Sequence, residues 1–114
     1  MRALFIELPA FERVRGDLLE DDAYRALQEF LLLQPEAGDL IPGAGGLRKL
    51  RFGSQIHGRG KRGGLRVIYF WWQRGREFWL FTMYEKGEMA DLTPSQRRAL
   101  KLMIKSELKA REPT

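Results

Sequence analysis

Arginine, lysine and tyrosine crowd into three stretches in the second half of the chain. These are "LRKLRF" (Leu47 to Phe52), "GRGKRGGLRVIYFWW" (Gly58 to Trp72) and "EFWLFTMYEKGE" (Glu77 to Glu88). Such residues could carry out phosphodiester transfer in RNA. That reaction needs a deprotonated 2′-hydroxyl, a neutralised transition-state phosphate and a proton for the leaving 5′-oxygen. Fixed cations aimed at the developing charge can do the second job without a metal. A lysine crowded by like charges loses its proton more easily, which makes it a candidate base. If the apolar runs on either side of residues 73–76 pair as a hairpin, Arg66 approaches residues 82–86, among them Tyr84 and Lys86. Lys49 and Arg51 can join from the preceding strand. On residue types alone, cleavage and simple phosphate binding stay equally open.

Other chemistries fit less well. Gly58, Gly60 and Gly63 spell G-x-G-x-x-G. The dinucleotide fingerprint needs a helix immediately after it, and here a β-branched and aromatic run follows. A P-loop needs Ser or Thr after its Gly-Lys pair, whereas Gly60-Lys61 precedes Arg62. The chain has one histidine and no cysteine, and its acids do not cluster at ligand spacing, so the expectation is no metal site and no cofactor. Ser54 and His57 share a glycine-rich loop, where His57 reads as an exposed residue that could carry a proton near RNA.

The charge distribution points the same way. The 114 residues carry a formal net charge of +5. Residues 17–39 hold seven acids and one base, whereas residues 47–76 hold nine bases and no acid. A single-sign block of that length implies a polyanionic partner. No apolar run approaches the length of a membrane span, and the N-terminal stretch lacks the pattern of a secretory signal, so the expectation is a cytoplasmic protein with no membrane partner.

The elements that must position these residues can be read from periodicity. "LFIEL" (Leu4 to Leu8) reads as a short strand ended by Pro9. "AFERVRGDLL" reads as a short helix broken at Gly16. "EDDAYRALQEFLLLQP" reads as a stronger helix, with acids at its positive end and Tyr24, Leu27, Phe30 and Leu31 on one face. "PEAGDLIPGAGG" reads as a loop. "LRKLRF", "LRVIYFWW" and "EFWLFTMY" read as strands, the last two joined by "QRGR". "TPSQRRALKLMIKSELKA" reads as a helix with Thr93 as N-cap, Pro94 at N1 and Gln96 closing a capping box. Its buried stripe is expected at Leu100, Met103, Ile104 and Leu108. A basic stripe of Arg97, Lys101, Lys105 and Lys109 lies on the other side. The order implies a single α+β domain covering residues 1–114, with an antiparallel sheet, mixed at its edge, packed by two N-terminal helices and one C-terminal helix.

"GGLRKLRF", "GKRGGLRVIYF", "LFTMYEKGE" and "DLTPSQRRALK" together resemble the RelE/HigB superfamily of type II toxin–antitoxin toxins, most of all the HigB-type, phage-derived Gp49-like branch. The resemblance runs in order along nearly the whole chain. It implies metal-independent cleavage of mRNA in the ribosomal A site. The partners it implies are the ribosome, mRNA and a cognate antitoxin of the helix-turn-helix, HigA-like kind, with operator DNA reached only through that antitoxin. Carried over by position, Arg66 matches the arginine that holds the scissile phosphate, and Lys86 matches a second cation. Lys49 and Arg51 match the basic pair on the earlier strand, and Tyr84 stands beside them. Lys61 and Arg62 match the loop that faces RNA in this branch, and Arg59, His57 and Arg48 are further candidate RNA-binding residues. The sequence departs from the RelE pattern in one respect. "GEMADLT" has no tyrosine where that group carries one to stack on a base, so the general base is unassigned. Two other activities remain open: a ParE-like gyrase inhibitor on the same architecture, and a non-catalytic RNA-binding module using Trp71, Trp72 and Trp79 as stacking platforms.

Overall fold

A computed structural model describes residues 1–53, 64–87 and 92–112. Five strands and three helices follow in the order β1 (Leu4–Glu7), α1 (Pro9–Leu18), α2 (Asp21–Leu33), β2 (Asp39–Leu40), β3 (Arg48–Phe52), β4 (Leu65–Trp72), β5 (Glu77–Glu85) and α3 (Pro94–Ala110). The strands form one sheet in the order β1-β5-β4-β3-β2. Only the β1–β5 pair is parallel; the others are antiparallel. The architecture is the α+β domain with a mixed edge that the residue pattern predicts.

The sheet has an apolar core on each face, which explains why β4 and β5 are hydrophobic at nearly every position. On one face Leu50, Phe52, Val67, Tyr69, Phe78, Leu80 and Met83 pack with Phe11, Leu27 and Leu31 from α1 and α2. On the other face Ile68, Phe70, Trp79 and Phe81 pack with Leu47 and with Ile104 of α3. A β-bulge interrupts the β4–β5 ladder. Ile68 pairs with Thr82 and Tyr69 with Leu80, so Phe81 is the extra residue. Strand side chains alternate between faces, and the extra residue resets that alternation. Met83 therefore joins the α1/α2 core, while Tyr84 packs on the α3 side.

Helix α3 starts as its sequence specifies. Thr93 accepts a hydrogen bond from the Gln96 amide, and the Gln96 side chain accepts from the Thr93 amide. At the other end Arg111 docks the helix onto the sheet. Its guanidinium lies 4.8 Å from the Trp79 ring centre, and its Nε is 3.3 Å from Glu77. The connection from α2 to β3 is fastened by Tyr69. The fully buried phenol donates to the Pro35 carbonyl at 2.8 Å and accepts from the Gly38 amide at 3.0 Å. A side chain at Gly38 would meet the Tyr69 ring at 2.9 Å, so the close approach requires glycine.

Four expectations need correction. Helix α1 runs through Gly16 without a break. A mid-helix glycine costs roughly 1 kcal/mol relative to alanine, which burial of Phe11 against the sheet outweighs. The connection after α2 contains a short edge strand, β2, paired with β3. On α3, Ile104 is buried and Leu100 and Leu108 are partly so, but Met103 is 41 % exposed. The sheet contacts a narrower stripe of the helix than the apolar spacing implies. Arg97 leaves the solvated basic stripe and donates to the Leu92 carbonyl at 2.9 Å.

Candidate functional site: a basic row across three strands

The register brings four of the predicted residues onto one face of the sheet. Arg51 on β3 sits opposite Arg66 on β4, and Arg66 sits opposite Tyr84 on β5. One step along, Lys49 sits opposite Ile68, which sits opposite Thr82. Alternation fixes the face. Leu50, Phe52 and Val67 point into the α1/α2 core, so Lys49, Arg51 and Arg66 take the opposite side, which α3 shares with Tyr84. Directly opposed residues have Cβ atoms roughly 5 Å apart, and like charges so placed destabilise a sheet. Arg51 is exposed, and Arg66, Lys49 and Tyr84 are half-buried.

Lys86 follows one residue after β5 and is exposed. Its amide donates to the Gly64 carbonyl at 3.3 Å, which holds it beside the start of β4 and hence near Arg66. The site therefore gathers Lys49, Arg51, Arg66, Tyr84 and Lys86 from three strands and a strand end. Every cation in it is a side chain that can neutralise phosphate, and the Tyr84 hydroxyl can donate or accept a proton.

Arg48 is placed elsewhere. It pairs with Tyr69 across the sheet, and its guanidinium donates to the carbonyls of Glu36 and Gly38 at 3.1 and 2.7 Å. Arg48 thus ties down the loop before β2 on the face opposite the basic row. His57, Arg59, Lys61 and Arg62 lie outside the described residues.

Thr82 belongs to this surface although the residue pattern does not single it out. Simple alternation from Phe78 would put Thr82 on the α1/α2 side; only the bulge at Phe81 brings it opposite Ile68. Two tyrosines elsewhere are structural. Burial raises the pKa of the Tyr69 phenol above its ordinary value. Burial raises that of Tyr24 too, assisted by its 2.7 Å hydrogen bond to Glu7. Neither is a candidate proton carrier near neutrality.

No model of a known protein family matches the chain. No helix among the described residues is long and apolar enough to cross a membrane.

Proposed function

We propose that this protein is a ribosome-dependent mRNA endonuclease, the toxin of a type II toxin–antitoxin module. The observation that carries the reading is the row Arg51–Arg66–Tyr84, with Lys49 and Lys86 beside it, on one sheet face. Two arginines directly opposed across a ladder place two cations within reach of one phosphate diester, and both can donate to its oxygens. The same placement suits the transfer step. The substrate's 2′-oxygen attacks the adjacent phosphorus, the bond to the 5′-oxygen breaks, and a 2′,3′-cyclic phosphate and a 5′-hydroxyl result. Arg66 holds the scissile phosphate, and Lys86 and Arg51 neutralise the charge that grows on its oxygens. Tyr84 and Lys49, on the same sheet face, are the candidates for the proton transfers. The ribosome supplies the orientation of the strand, and positioning then provides much of the rate. A HigA-like antitoxin neutralises the toxin, and the complex reaches operator DNA through the antitoxin.

The deciding experiment is primer extension on a reporter mRNA in a purified translation system. Wild-type protein is added with and without ribosomes, alongside the Arg66→Ala/Lys86→Ala variant. The expected result is cleavage at in-frame codons that requires ribosomes and disappears in the variant. Intact mRNA in every lane, together with growth arrest in cells, would reject the nuclease and favour a gyrase-type target. Cleavage that persists in the variant would reject the site.

A further inference from the structure

A groove of about 680 Å³ lies at the opposite end of the sheet from Lys86, between the C-terminal end of α2 and the β4–β5 hairpin. Trp71, Arg76, Gln34, Glu36 and Gln73 are among the residues lining it. Its volume is that of a small-molecule site. Trp71 points to the α1/α2 side of the sheet, whereas the basic row points to the α3 side. The two sites are therefore separate in both length and face.

The groove's residues fall into three kinds. Trp71 supplies an aromatic platform. Its indole stacks on Phe78 with ring centres 4.3 Å apart and 29° between planes, which fixes its orientation. Trp71 is only half-buried, in contrast to the buried Trp79 of the neighbouring strand. Arg76 supplies a cation. Among the described residues it is the one non-glycine with positive φ, at 53°. A glycine would adopt that conformation without strain, so backbone preference does not account for arginine there. Gln34, Gln73 and Glu36 supply amide and carboxylate groups. The Glu36 carboxylate is 66 % exposed and reaches Arg48 only at 3.9 Å, which leaves it accessible to another donor.

A stacking platform, a cation and hydrogen-bonding groups around one concavity match the three parts of a nucleotide. We infer that this groove binds a nucleotide, with its base stacked on Trp71 and its phosphate on Arg76. A carboxylate accepts from base-edge donors, and guanine offers two adjacent N–H donors, so guanine is the base the Glu36 side selects. The occupant is either a free nucleotide or one unpaired nucleotide of a longer RNA; the recognition chemistry is the same. The inference goes beyond the nuclease reading and does not depend on it.

The test is calorimetric titration of the full chain with GMP, with guanosine and with ribose 5-phosphate, without ribosomes. Tryptophan fluorescence is followed in parallel. GMP is expected to saturate one site and quench fluorescence. Guanosine and ribose 5-phosphate are each expected to bind about tenfold more weakly, the scale of one lost stack or charged contact. Arg76→Gly keeps the turn geometry while removing the cation, so it should weaken GMP about tenfold with no loss of thermal stability. Glu36→Gln should reduce the preference for GMP over UMP. A short guanine-containing single strand then distinguishes the sources: displacement of GMP identifies an RNA nucleotide, and failure to displace it identifies a free one. Failure of millimolar GMP to saturate a site would overturn the inference, as would GMP binding unchanged in Arg76→Gly. Loss of RNA cleavage in the Arg66→Ala/Lys86→Ala variant with GMP binding intact would show that the two readings stand separately.

Discussion

Replacing Tyr69 by phenylalanine removes one oxygen atom and leaves the ring in place. That oxygen serves two backbone groups, the Pro35 carbonyl at 2.8 Å and the Gly38 amide at 3.0 Å, more than thirty residues away in sequence. Tyr69 is fully buried and Gly38 is buried too. The apolar area that the ring covers is the same in both side chains. The cost is thus the stranding of a donor and an acceptor. A buried group left without its partner costs about 1–3 kcal/mol, and the Pro35 carbonyl, at a partly buried bond, falls at the low end. The sum is about 2–4 kcal/mol. For a domain of this size that lowers Tm by roughly 8–16 °C. Urea denaturation followed by tryptophan fluorescence measures it directly. The tyrosine also imposes a pH dependence. Its folded-state pKa lies above the ordinary value of 10.0, so its contribution is complete below pH 10 and is lost as pH rises through the folded-state value. Tyr24 acts in the same direction, so Tyr69→Phe reduces the alkaline loss of stability without abolishing it. A variant within about 0.5 kcal/mol of wild type would mean that water replaces the phenol, and the argument from buried pairing would fail.

Gly38→Ala places a Cβ 2.9 Å from the Tyr69 ring and 3.1 Å from the Lys49 backbone; it should destabilise by about 1–3 kcal/mol, read by the same denaturation. Thr93→Ala removes the hydroxyl that accepts from the Gln96 amide, while the residue-93 amide can still donate to the Gln96 side chain; it should cost about 1 kcal/mol, with amide exchange rising first in the opening turn of α3. Arg51→Gln/Arg66→Gln removes two cations from the basic row. If both contact phosphate, the slope of log affinity for single-stranded RNA against log salt should become shallower by about 1.4, measured by fluorescence anisotropy; an unchanged slope would mean that neither arginine touches the backbone.

Much of this arrangement is legible in the residues because short-range rules govern it. The capping box of α3, the strands at 65–72 and 77–85 and the hairpin between them follow from local pattern. So does the face shared by Arg51 and Arg66, which needs only alternation and an antiparallel register. Three features depend on distant partners. Gly16 fails to end α1 because packing of Phe11 outweighs a local preference. Arg48 looks interchangeable with Lys49 and Arg51, yet alternation puts it on the other face, where carbonyls of a loop ten and twelve residues away capture it. The position of Thr82 depends on a bulge whose extra residue, Phe81, looks like any other aromatic in a buried strand.

That bulge makes the last third of β5 a matter of parity. Seen from the hairpin, Phe78 and Leu80 face α1 and α2, Trp79 and Phe81 face α3, and the count then skips once before Met83 and Tyr84. Deleting one residue of the Phe81–Thr82 pair would make the ladder regular and leave the pairing beyond it intact, with Met83 still opposite Val67 and Tyr84 still opposite Arg66. Closing the bulge with no residue removed, so that Phe81 pairs with Ile68, would instead slide every later residue by one and exchange the two strand ends. The methionine would then turn toward the arginines and the tyrosine into the oily side. Two related chains that differ there by one residue would therefore present the same chemistry above Arg66, one with a bulge and one with a regular ladder.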